Sequence, residues 1–477
     1  MRFSRAPGAW LAILATIVPG KILLAQPTSS SAADVVSGGG IITTLVLVNT
    51  ASVDAQTHVA FSADDGSPLI FPLKVTQTGA TLIAASLDQT IPAHATLRLE
   101  TTGQPGDLFT SGSAQVTSDQ HVSGYVLYTY ANGQEAAVPL ETRASDSYYI
   151  PIYSVPPLQA FTGIAIANLA SNAVTVTANM RGSGVFLGLG TITIPARGHT
   201  AFLADQKFST FPLESMLELR TPAPGQISVM GLGFTPAGVA AFPVLTNTGP
   251  FSGSIAQIAY TSDTTSAFAL VNIGSATAKT HVQFLNDEGQ PQSWTLAVPG
   301  CPPLSAIPSS TLDRDISIGN SCGVVALPAA IPAVPAVGWA QISSDAGIAA
   351  YVSYTVRGNI FYTPIETGAA SSFVLPFDNT NNVVTGIALA NLTSGAGSVQ
   401  VTVRDESGAQ IAAPLTTGPI GLNAQGHTSF GLAQLFPFTA NRRGTAEFSS
   451  VNGGAIGVLG LRFSPNGSIN NIPVWVP

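Results

Sequence analysis

The feature that most constrains the fold of this chain is an internal duplication of its sequence. Segments of the first half recur in the second half in the same order, at offsets that change only from 223 to 229 residues. The clearest pairs are Thr57–Phe61 with Thr280–Phe284, Gly163–Leu169 with Gly386–Leu392, and Gly231–Phe234 with Gly460–Phe463. Repetition at a fixed interval predicts a chain built from copies of one structural block.

A weaker repeat lies inside each half. Asn49, Asn168, Asn272 and Asn391 each end an apolar run, at successive spacings of 119, 104 and 119 residues. The chain therefore divides into four units in the order A-B-A-B. We call them A1 (residues 41–143), B1 (144–249), A2 (250–367) and B2 (368–477).

Within each unit, apolar residues alternate with polar ones or form short runs between turns, which is typical of β-strands. Val399–Arg404 alternates in this way, and an acidic turn that ends at Gly408 follows it. The 47 Gly and 34 Pro residues are too frequent for long helices. We therefore expect an all-β fold of four tandem β-sandwich (Ig-like) units, arranged as a duplicated A-B pair. One short helical turn is expected in each B unit, around Leu203–Lys207 and Leu432–Leu435.

The N-terminus has the pattern of a secretory signal peptide. Arg2 and Arg5 precede the apolar stretch Ala9–Val18, and a small-residue cleavage site lies before Gln26. The apolar stretch ends at Pro19, short of the ~20 residues that a membrane span needs. We expect a signal peptide over residues 1–25, a flexible leader over 26–40, and no membrane span after cleavage. The mature protein is expected in the extracellular space, in the periplasm or on the cell surface.

Charged residues make up only 9% of the chain, against a typical ~25%, and the formal net charge is −8. The 17 basic residues are spread thinly, without a run that could neutralise a row of phosphates. Nucleic-acid binding is therefore not expected.

The two cysteines, Cys301 and Cys322, both lie in A2. After export they would meet an oxidising environment, which favours a disulfide between them. Two free buried thiols are the alternative.

Other candidate sites have simpler structural interpretations. The segment Gly319–Gly323 matches the G-x-S-x-G elbow of serine hydrolases, but that elbow needs a following helix, which this Pro-rich region does not favour. The histidines follow the repeat, and none has the spacing of a zinc site; they are His58, His94, His121, His199, His281 and His427. Acidic turns could bind calcium, but solvated hairpin turns explain them better. We expect no catalytic residues, no metal and no cofactor.

Aromatic side chains could form a platform that stacks on sugar rings. Beyond the signal region the tryptophans are Trp294, Trp339 and Trp475, and Trp339 stands where the other copy has Ser113. A repeated platform is therefore not indicated. Burial of both Trp294 and Trp339 would argue against a sugar site built on them.

The B units carry several short motifs beside the Asn-containing run: Gly426–Thr428, Leu435–Pro437, Arg443–Thr445 and Gly460–Phe463. In these motifs the chain resembles a tandem β-sandwich repeat of exported bacterial proteins of uncharacterised function. The resemblance implies a secreted β-sandwich module and supplies no catalytic residues. In B1 the segment Arg443–Thr445 is replaced by Glu214–Met216, which argues against one shared function at that position.

Two functions fit these observations. The first is a secreted or cell-surface, non-enzymatic structural or adhesive repeat protein with an unknown protein or glycan partner. The alternative is a carbohydrate-binding accessory protein. Because the copies match poorly between Cys301 and Trp339, this part of A2 is the expected place for any function that belongs to one copy alone.

Overall fold

The computed structural model describes residues 28–153, 159–182, 184–208, 215–236, 238–246, 249–297, 308–328, 335–367, 370–411 and 418–477. These residues form antiparallel strands and almost no helix, which confirms the all-β prediction. The two α-helices, α1 (Ala204–Phe208) and α2 (Leu432–Leu435), are single turns at the places expected in B1 and B2. Among the described residues, no helix has the length and apolar character needed to cross a membrane.

A1 is a two-layered unit of ten strands. They are β1 (Thr28–Gly38), β2 (Ile41–Asn49), β3 (Ala55–Ser62), β4 (Phe71–Val75), β5 (Thr81–Ala84), β6 (Ser86–Ile91), β7 (Thr96–Thr101), β8 (Thr110–Ser118), β9 (Val122–Tyr130) and β10 (Glu135–Pro139). One layer has the order β5-β4-β7-β2-β9-β10 and the other β1-β8-β3-β6. The layers are joined where β1 turns into β2, through the pairs Ser37↔Ile42 and Gly38↔Ile41.

The flexible leader predicted for residues 26–40 is wrong from Thr28 onwards. Thr28–Gly38 forms β1, which pairs with β8 and buries Ala32, Val35 and Val36 in the core of A1. Its small Ser and Ala residues gave the segment the composition of a linker, yet these side chains suit a closely packed strand. A1 therefore includes residues from Thr28 onwards, and the name is used for residues 28–143 below.

B1 is a sandwich of two four-stranded sheets. Its strands are β11 (Ser147–Ile152), β12 (Phe161–Asn168), β13 (Val174–Gly182), β14 (Val185–Ile194), β15 (His199–Leu203), β16 (Ser215–Arg220), β17 (Ile227–Thr235) and β18 (Gly238–Phe242). The sheet orders are β11-β16-β13-β14 and β15-β12-β17-β18.

A2 repeats the two-layered plan of A1. Its strands are β19 (Phe251–Tyr260), β20 (Thr264–Asn272), β21 (Ala278–Leu285), β22 (Trp294–Ala297), β23 (Pro308–Ser309), β24 (Thr311–Ile316), β25 (Ser321–Pro328), β26 (Ala336–Ser344), β27 (Ile348–Val356), β28 (Asn359–Pro364) and β29 (Glu366–Thr367). The layers are β23-β22-β25-β20-β27-β28 and β29-β19-β26-β21-β24, and they meet at the pair Tyr260↔Thr265.

B2 repeats the sandwich of B1. Its strands are β30 (Ser372–Asp378), β31 (Val384–Asn391), β32 (Gly397–Asp405), β33 (Ile420–Leu422), β34 (His427–Gly431), β35 (Arg443–Ser450), β36 (Ile456–Phe463) and β37 (Ile469–Ile472). A short 3-10 turn, Pro437–Thr439, follows α2. The sheet orders β30-β35-β32-β33 and β34-β31-β36-β37 match those of B1 strand for strand.

The four repeated asparagines have the same structural role in each unit. Each is buried, and its side-chain amide donates to carbonyl groups of two loops. Asn49 donates to Val53 O and Pro92 O, at 2.8 and 3.0 Å. Its Oδ1 accepts from the backbone N–H two residues later, as an Asx turn does. Asn168, Asn272 and Asn391 make the equivalent bonds.

The loop held by each asparagine is a turn that contains a residue with positive φ. These residues are His94 (φ 58°), Arg197 (58°), Gly319 (73°) and Gln425 (53°). Each turn receives a hairpin tip from another unit, so we call these four turns the acceptor turns.

The tips and acceptor turns connect the units in a closed ring. The tip at Asp64–Gly66 of A1 lies on the acceptor turn of B1, and the tip at Asp287–Gly289 of A2 lies on that of B2. The tip at Asp405–Gly408 of B2 returns to A1, where Thr96 N donates to Glu406 O at 2.9 Å. The tip of B1 lies against A2. Gly184 is so close to Asn320 that a Cβ added to this glycine would lie 2.9 Å from Asn320 Oδ1.

The centre of the ring is built from the last hairpin of each unit. Strand β10 of A1 contacts β18 of B1, β18 contacts β28 of A2, β28 contacts β37 of B2, and β37 contacts β10. The two layers of A1 also pack on β12 and β17 of B1, whose Ala165, Met230 and Leu232 join the core of A1. The duplicated blocks therefore form one assembly in which each unit touches the next and the last touches the first.

Candidate functional site at the unit junctions

The junction between A1 and B1 contains a buried histidine between two aspartates. His199 begins β15 and is 3% exposed. Its Nδ1 lies 2.8 Å from Asp64 Oδ1, and its Nε2 lies 3.5 Å from Asp34 Oδ1. The backbone N–H of His199 also donates to Asp64 O at 3.3 Å. One residue of the A1 tip is therefore bound by both the side chain and the backbone of B1.

The junction between A2 and B2 repeats this arrangement with one change. His427 Nδ1 lies 2.8 Å from Asp287 Oδ1, and its N–H donates to Asp287 O at 3.0 Å. At the 223-residue offset, Gln257 stands in the place of Asp34. The equivalence is supported by the tyrosine hydroxyls of Tyr128 and Tyr354, which donate to the carbonyl oxygens of Asp34 and Gln257 respectively.

The carboxyl group of Asp34 is therefore specific to the first half. Burial raises its pKa to about 6, and the nearby His199 opposes that shift only in part. Burial disfavours the charged form of a carboxyl group, so its proton is held more tightly in the folded protein than in an unfolded chain.

The remaining histidines lie apart from one another. His58 and His281 occupy corresponding exposed positions and pair with Asp88 and Asp313, each at 2.7 Å. His94 lies in an acceptor turn. Within the described part of the chain, no three His, Cys, Asp or Glu side chains come together as a metal site would require. The acidic turns remain largely exposed, with the side chains of Asp64 and Asp287 74% and 53% exposed, and they are also the tips that dock on neighbouring units.

The junction between A1 and B2 contains a buried network of charges. Arg462 of β36 makes two bonds to Glu135 of β10, with Nε to Oε2 at 2.9 Å and Nη2 to Oε1 at 3.1 Å. Its Nη1 donates to Asp378 Oδ2 at 3.0 Å, and Arg443 Nε donates to the same oxygen at 3.0 Å. Ser464 also hydrogen-bonds to Glu135. We call Glu135, Asp378, Arg443 and Arg462 the Arg462 cluster.

The charges of the Arg462 cluster stabilise one another. Burial opposes the ionisation of Asp378, but the charge of Arg462 and hydrogen bonds from Thr380 outweigh it and lower the pKa of Asp378 to about 2. Burial likewise disfavours the charge on Arg462, yet hydrogen bonds and the charge of Glu135 raise the pKa of Arg462 above its usual range. With two carboxylates and two guanidinium groups, the cluster is neutral overall.

At the corresponding junction between B1 and A2, three equivalent positions carry uncharged residues. Gly233 stands at the position of Arg462, Tyr153 at that of Asp378, and Ile360 at that of Glu135. The counterpart of Arg443, Glu214, lies outside the described residues. A cavity of about 30 Å³ is bordered by Tyr153, Gly233 and Ile360 together with residues of B2.

The tryptophans are part of cores and junctions. Trp294 and Trp339 are both fully buried, so the sugar platform considered from the sequence is not present. Trp339 lies between A2 and B2, where its Nε1 donates to Gln425 O at 2.9 Å. Trp475 packs against Tyr125 and Leu127 of A1 and pairs through its backbone with Val374. At the other junction Leu245 takes its place, beside Tyr149 and Tyr351.

Two of the candidate sites considered from the sequence lie in A2. Ser321 of the G-x-S-x-G match begins strand β25 rather than a helix, so the local fold differs from a hydrolase elbow. Cys322 is buried in the core of A2. Cys301 lies outside the described residues, and the disulfide between Cys301 and Cys322 therefore stays a prediction.

An open cleft of about 660 Å³ lies at the seam between A1 and B2, beside the B2 tip. Its lining includes polar side chains of both units, and the apolar side chains of A1 beside it are almost fully buried in the core of A1. The sequence pattern did not point to it, because its two walls come from opposite ends of the chain.

Comparisons with known proteins add little to this picture. No protein-family model matches the chain, and no curated protein matches it. One solved structure, of a tetra-tandem repeat in the extending region of a large adhesion protein, aligns over 89% of this chain and 92% of its own length. The identity is 11% and the TM-score is 0.09. At that score the similarity carries no argument about fold or function.

Proposed function

We propose that this protein is exported and acts outside the cytoplasm as a non-enzymatic structural or adhesive protein. The observation that carries the proposal is the use made of its charged groups. His199, His427, Glu135 and Arg462 are all engaged in contacts between units. Side chains of types that often act in catalysis thus hold the four units in a fixed arrangement here. Such an arrangement suits a rigid scaffold or spacer.

Export can be tested directly with the full chain in a bacterial host. We expect the protein in the periplasm or medium, with a mature N-terminus close to Gln26. A chain without residues 1–25 should stay in the cytoplasm and serves as the control. Recovery of the full chain in the cytoplasm with Met1 intact would contradict the proposal.

The non-enzymatic role is tested by two measurements on the mature protein. We expect retention on immobilised bacterial surface material under flow, and no turnover of ester, peptide or glycosidic substrates. Turnover that the substitution Ser321→Ala abolishes would overturn the proposal in favour of a hydrolase. A failure of the protein to be retained on any surface material would leave only the structural role.

The alternative, a carbohydrate-binding accessory protein, loses its tryptophan platform because Trp294 and Trp339 are buried.

A further inference from the structure

The outer edge of β14 (Val185–Ile194) lies at the side of B1. β14 is the last strand of its sheet, and among the described residues it pairs with β13 alone. An edge strand presents a row of backbone N–H and C=O groups with which another strand can pair. The edge of β14 is therefore open to the addition of a strand.

The end of β14 next to the B1 tip carries exposed apolar side chains. Val185, Phe186 and Leu187 follow one another and are all exposed, with Phe186 58% exposed. Successive side chains of a strand point to opposite faces of its sheet, so this run places apolar surface on both faces of the edge. Contiguous exposed apolar surface marks an interaction site, whereas single exposed apolar residues are normal.

The apolar surface continues from B1 onto A2. A Cβ on Gly319 of the A2 acceptor turn would lie 3.6 Å from Val185 O, and the preceding residue, Ile318, is exposed. Ile318 therefore extends this surface across the B1–A2 junction. We call Val185, Phe186, Leu187 and Ile318 the β14 patch.

The ring of Phe186 is held in place from within B1. The guanidinium group of Arg181 lies 4.6 Å from the centre of the ring. Arg181 is itself bound to the buried carboxylate of Glu218, with Nε to Oε2 at 3.1 Å. Because a cation attracts the face of an aromatic ring, Phe186 is ordered although it is exposed. An ordered side chain loses less conformational entropy when a partner binds.

The sequence of β14 lacks the residues that usually protect an edge strand. Charged residues and proline are the common protection, and β14 contains neither. In B2 the sequence between the tip at Asp405–Gly408 and the end of β33 at Leu422 contains Pro414 and Pro419. Proline has no N–H to donate to a ladder. β33 has three residues where β14 has ten, so the two B units differ most at this edge.

A bulge divides β14 into two parts. The register shift in its pairing with β13 leaves Leu189 without an opposite residue. A bulge interrupts regular pairing and twists the strand. The part on the tip side, Val185–Gly188, carries the apolar side chains of the β14 patch, so this is the part that a partner strand would cover.

The partner that fits this edge is the same edge of a second copy of the chain. Antiparallel pairing of a strand with its own copy follows from a two-fold axis, which places each β14 patch on the other. Because β14 has no charged residue, two copies meet without like charges opposite each other in the ladder. Each copy also removes the apolar side chains of the other from water.

We infer that the protein forms a two-fold dimer in which Val185–Gly188 of one copy pairs antiparallel with the same segment of a second copy. The contact joins the B1 units and leaves the ring of each copy closed. It involves fewer residues than the roughly 20–30 a side of a standard interface, so the dimer is reversible. The inference goes beyond the proposed function and does not depend on export or adhesion.

The experiment measures the mass of the mature protein over a concentration series by sedimentation equilibrium. We expect a monomer at low concentration and a dimer at high concentration. Leu187→Lys brings a charge from each copy into the contact and should raise the dissociation constant at least about tenfold. Circular dichroism and thermal melting check that the variant folds as the wild-type protein does.

Ile83→Lys is the matched control. Ile83 is 79% exposed and lies on another edge strand, β5 of A1. The variant carries the same new charge but leaves the β14 patch intact, so its dissociation constant should equal that of the wild-type protein. Weakening by Ile83→Lys at least as large as that by Leu187→Lys, or a wild-type protein that stays monomeric up to about 1 mM, would overturn the inference.

Hydrogen exchange locates the contact without any substitution. The amides of Val185–Gly188 should exchange more slowly where the dimer prevails than where the monomer prevails, because the added ladder protects them. The amides of β33, the corresponding strand of B2, should exchange equally at both concentrations. A dimer that does not protect Val185–Gly188 is joined elsewhere, and the inference is then wrong.

Discussion

The two junctions that close the ring between the halves share their geometry but differ in chemistry. At the A1–B2 junction, Arg462 bridges Glu135 and Asp378. At the B1–A2 junction, Gly233 and Ile360 stand in the corresponding places and leave a cavity of about 30 Å³. Both junctions therefore have the same docking of hairpins, while the residues at these equivalent positions are charged at one junction and uncharged at the other.

The difference shows that the hairpins of two units can dock with uncharged residues at these positions. A buried ion pair is weak evidence for stability, because desolvation of the charges offsets much of their attraction. What the Arg462 cluster can supply is selectivity. If B2 docked where B1 belongs, Arg462 would face Ile360 and would lack its carboxylates, so the cluster distinguishes the two junctions during assembly.

The largest loss of stability is expected when Arg462, the central cation of the Arg462 cluster, is replaced. Arg462→Met leaves Glu135 and Asp378 buried without their shared partner, which should lower the free energy of unfolding by about 3–5 kcal/mol. Guanidinium denaturation measures this, with Arg357→Met as the control because Arg357 is 79% exposed. A loss below about 1 kcal/mol would show that the cluster is solvated and unimportant.

The next largest loss of stability is expected when the charged residue is placed at the uncharged position of the B1–A2 junction. A Cβ on Gly233 would lie 2.8 Å from the ring of Phe242, and an arginine there would lack a carboxylate. Gly233→Arg should therefore cost about 2–3 kcal/mol. Addition of Ile360→Glu should recover part of the loss in a double-mutant cycle. Strictly additive changes in the free energy of unfolding would mean that positions 233 and 360 do not correspond to the contacting positions 462 and 135.

A smaller effect should appear in acid, at one junction only. The pKa of Asp378 is about 2 in the folded protein and about 4 in an unfolded chain. Its contribution to stability is therefore present above pH 4 and is lost as the pH falls towards 2, by about 2 kcal/mol. Hydrogen exchange should show the A1–B2 junction opening in this range before B1–A2 does, and Asp378→Asn should remove the difference.

The smallest expected effect is a gain of stability in acid rather than a loss. It distinguishes the A1–B1 junction, which has Asp34, from the A2–B2 junction, which has Gln257 in its place. The raised pKa of Asp34 means that the folded state holds a proton more tightly than the unfolded state, so stability rises as the pH falls from 6 to 4. Asp34→Asn should stabilise the protein by about 1 kcal/mol at pH 8 and flatten this rise. Lower stability of the variant at pH 8 would show that the pairing of ionised Asp34 with His199 outweighs burial.

Much of the fold could be predicted because the repeat is recorded in short local patterns. The asparagine that ends an apolar run appears in all four units, since each needs the same side chain to hold its acceptor turn. The positions of α1 and α2 were predicted for the same reason. The strand β1 was missed because small polar residues look alike in a linker and in a packed strand.

The junctions could not be predicted, because their partners are far apart along the chain. His199 and Asp64 are 135 residues apart, and Arg462 and Glu135 are 327 apart. A repeat alignment shows Arg462 as a departure from Gly233, and this signal could have marked it as functional. It could not have identified Glu135, whose own counterpart is Ile360. The cleft between A1 and B2 could not be predicted either, because its two walls come from opposite ends of the chain.

The match of tips and acceptor turns also limits how the protein can change in length. Each unit offers one tip and one turn to different neighbours, which is a head-to-tail contact of the kind that generates either open filaments or closed rings. In an open array, units can be gained or lost at the ends with little penalty. Here a fifth unit would have to separate B2 from A1, and a missing one would leave a tip and a turn without partners. The closed set of contacts between tips and acceptor turns therefore fixes the number of units in the ring. Substitutions on the surface of the ring are tolerated, whereas gain or loss of a unit would open it.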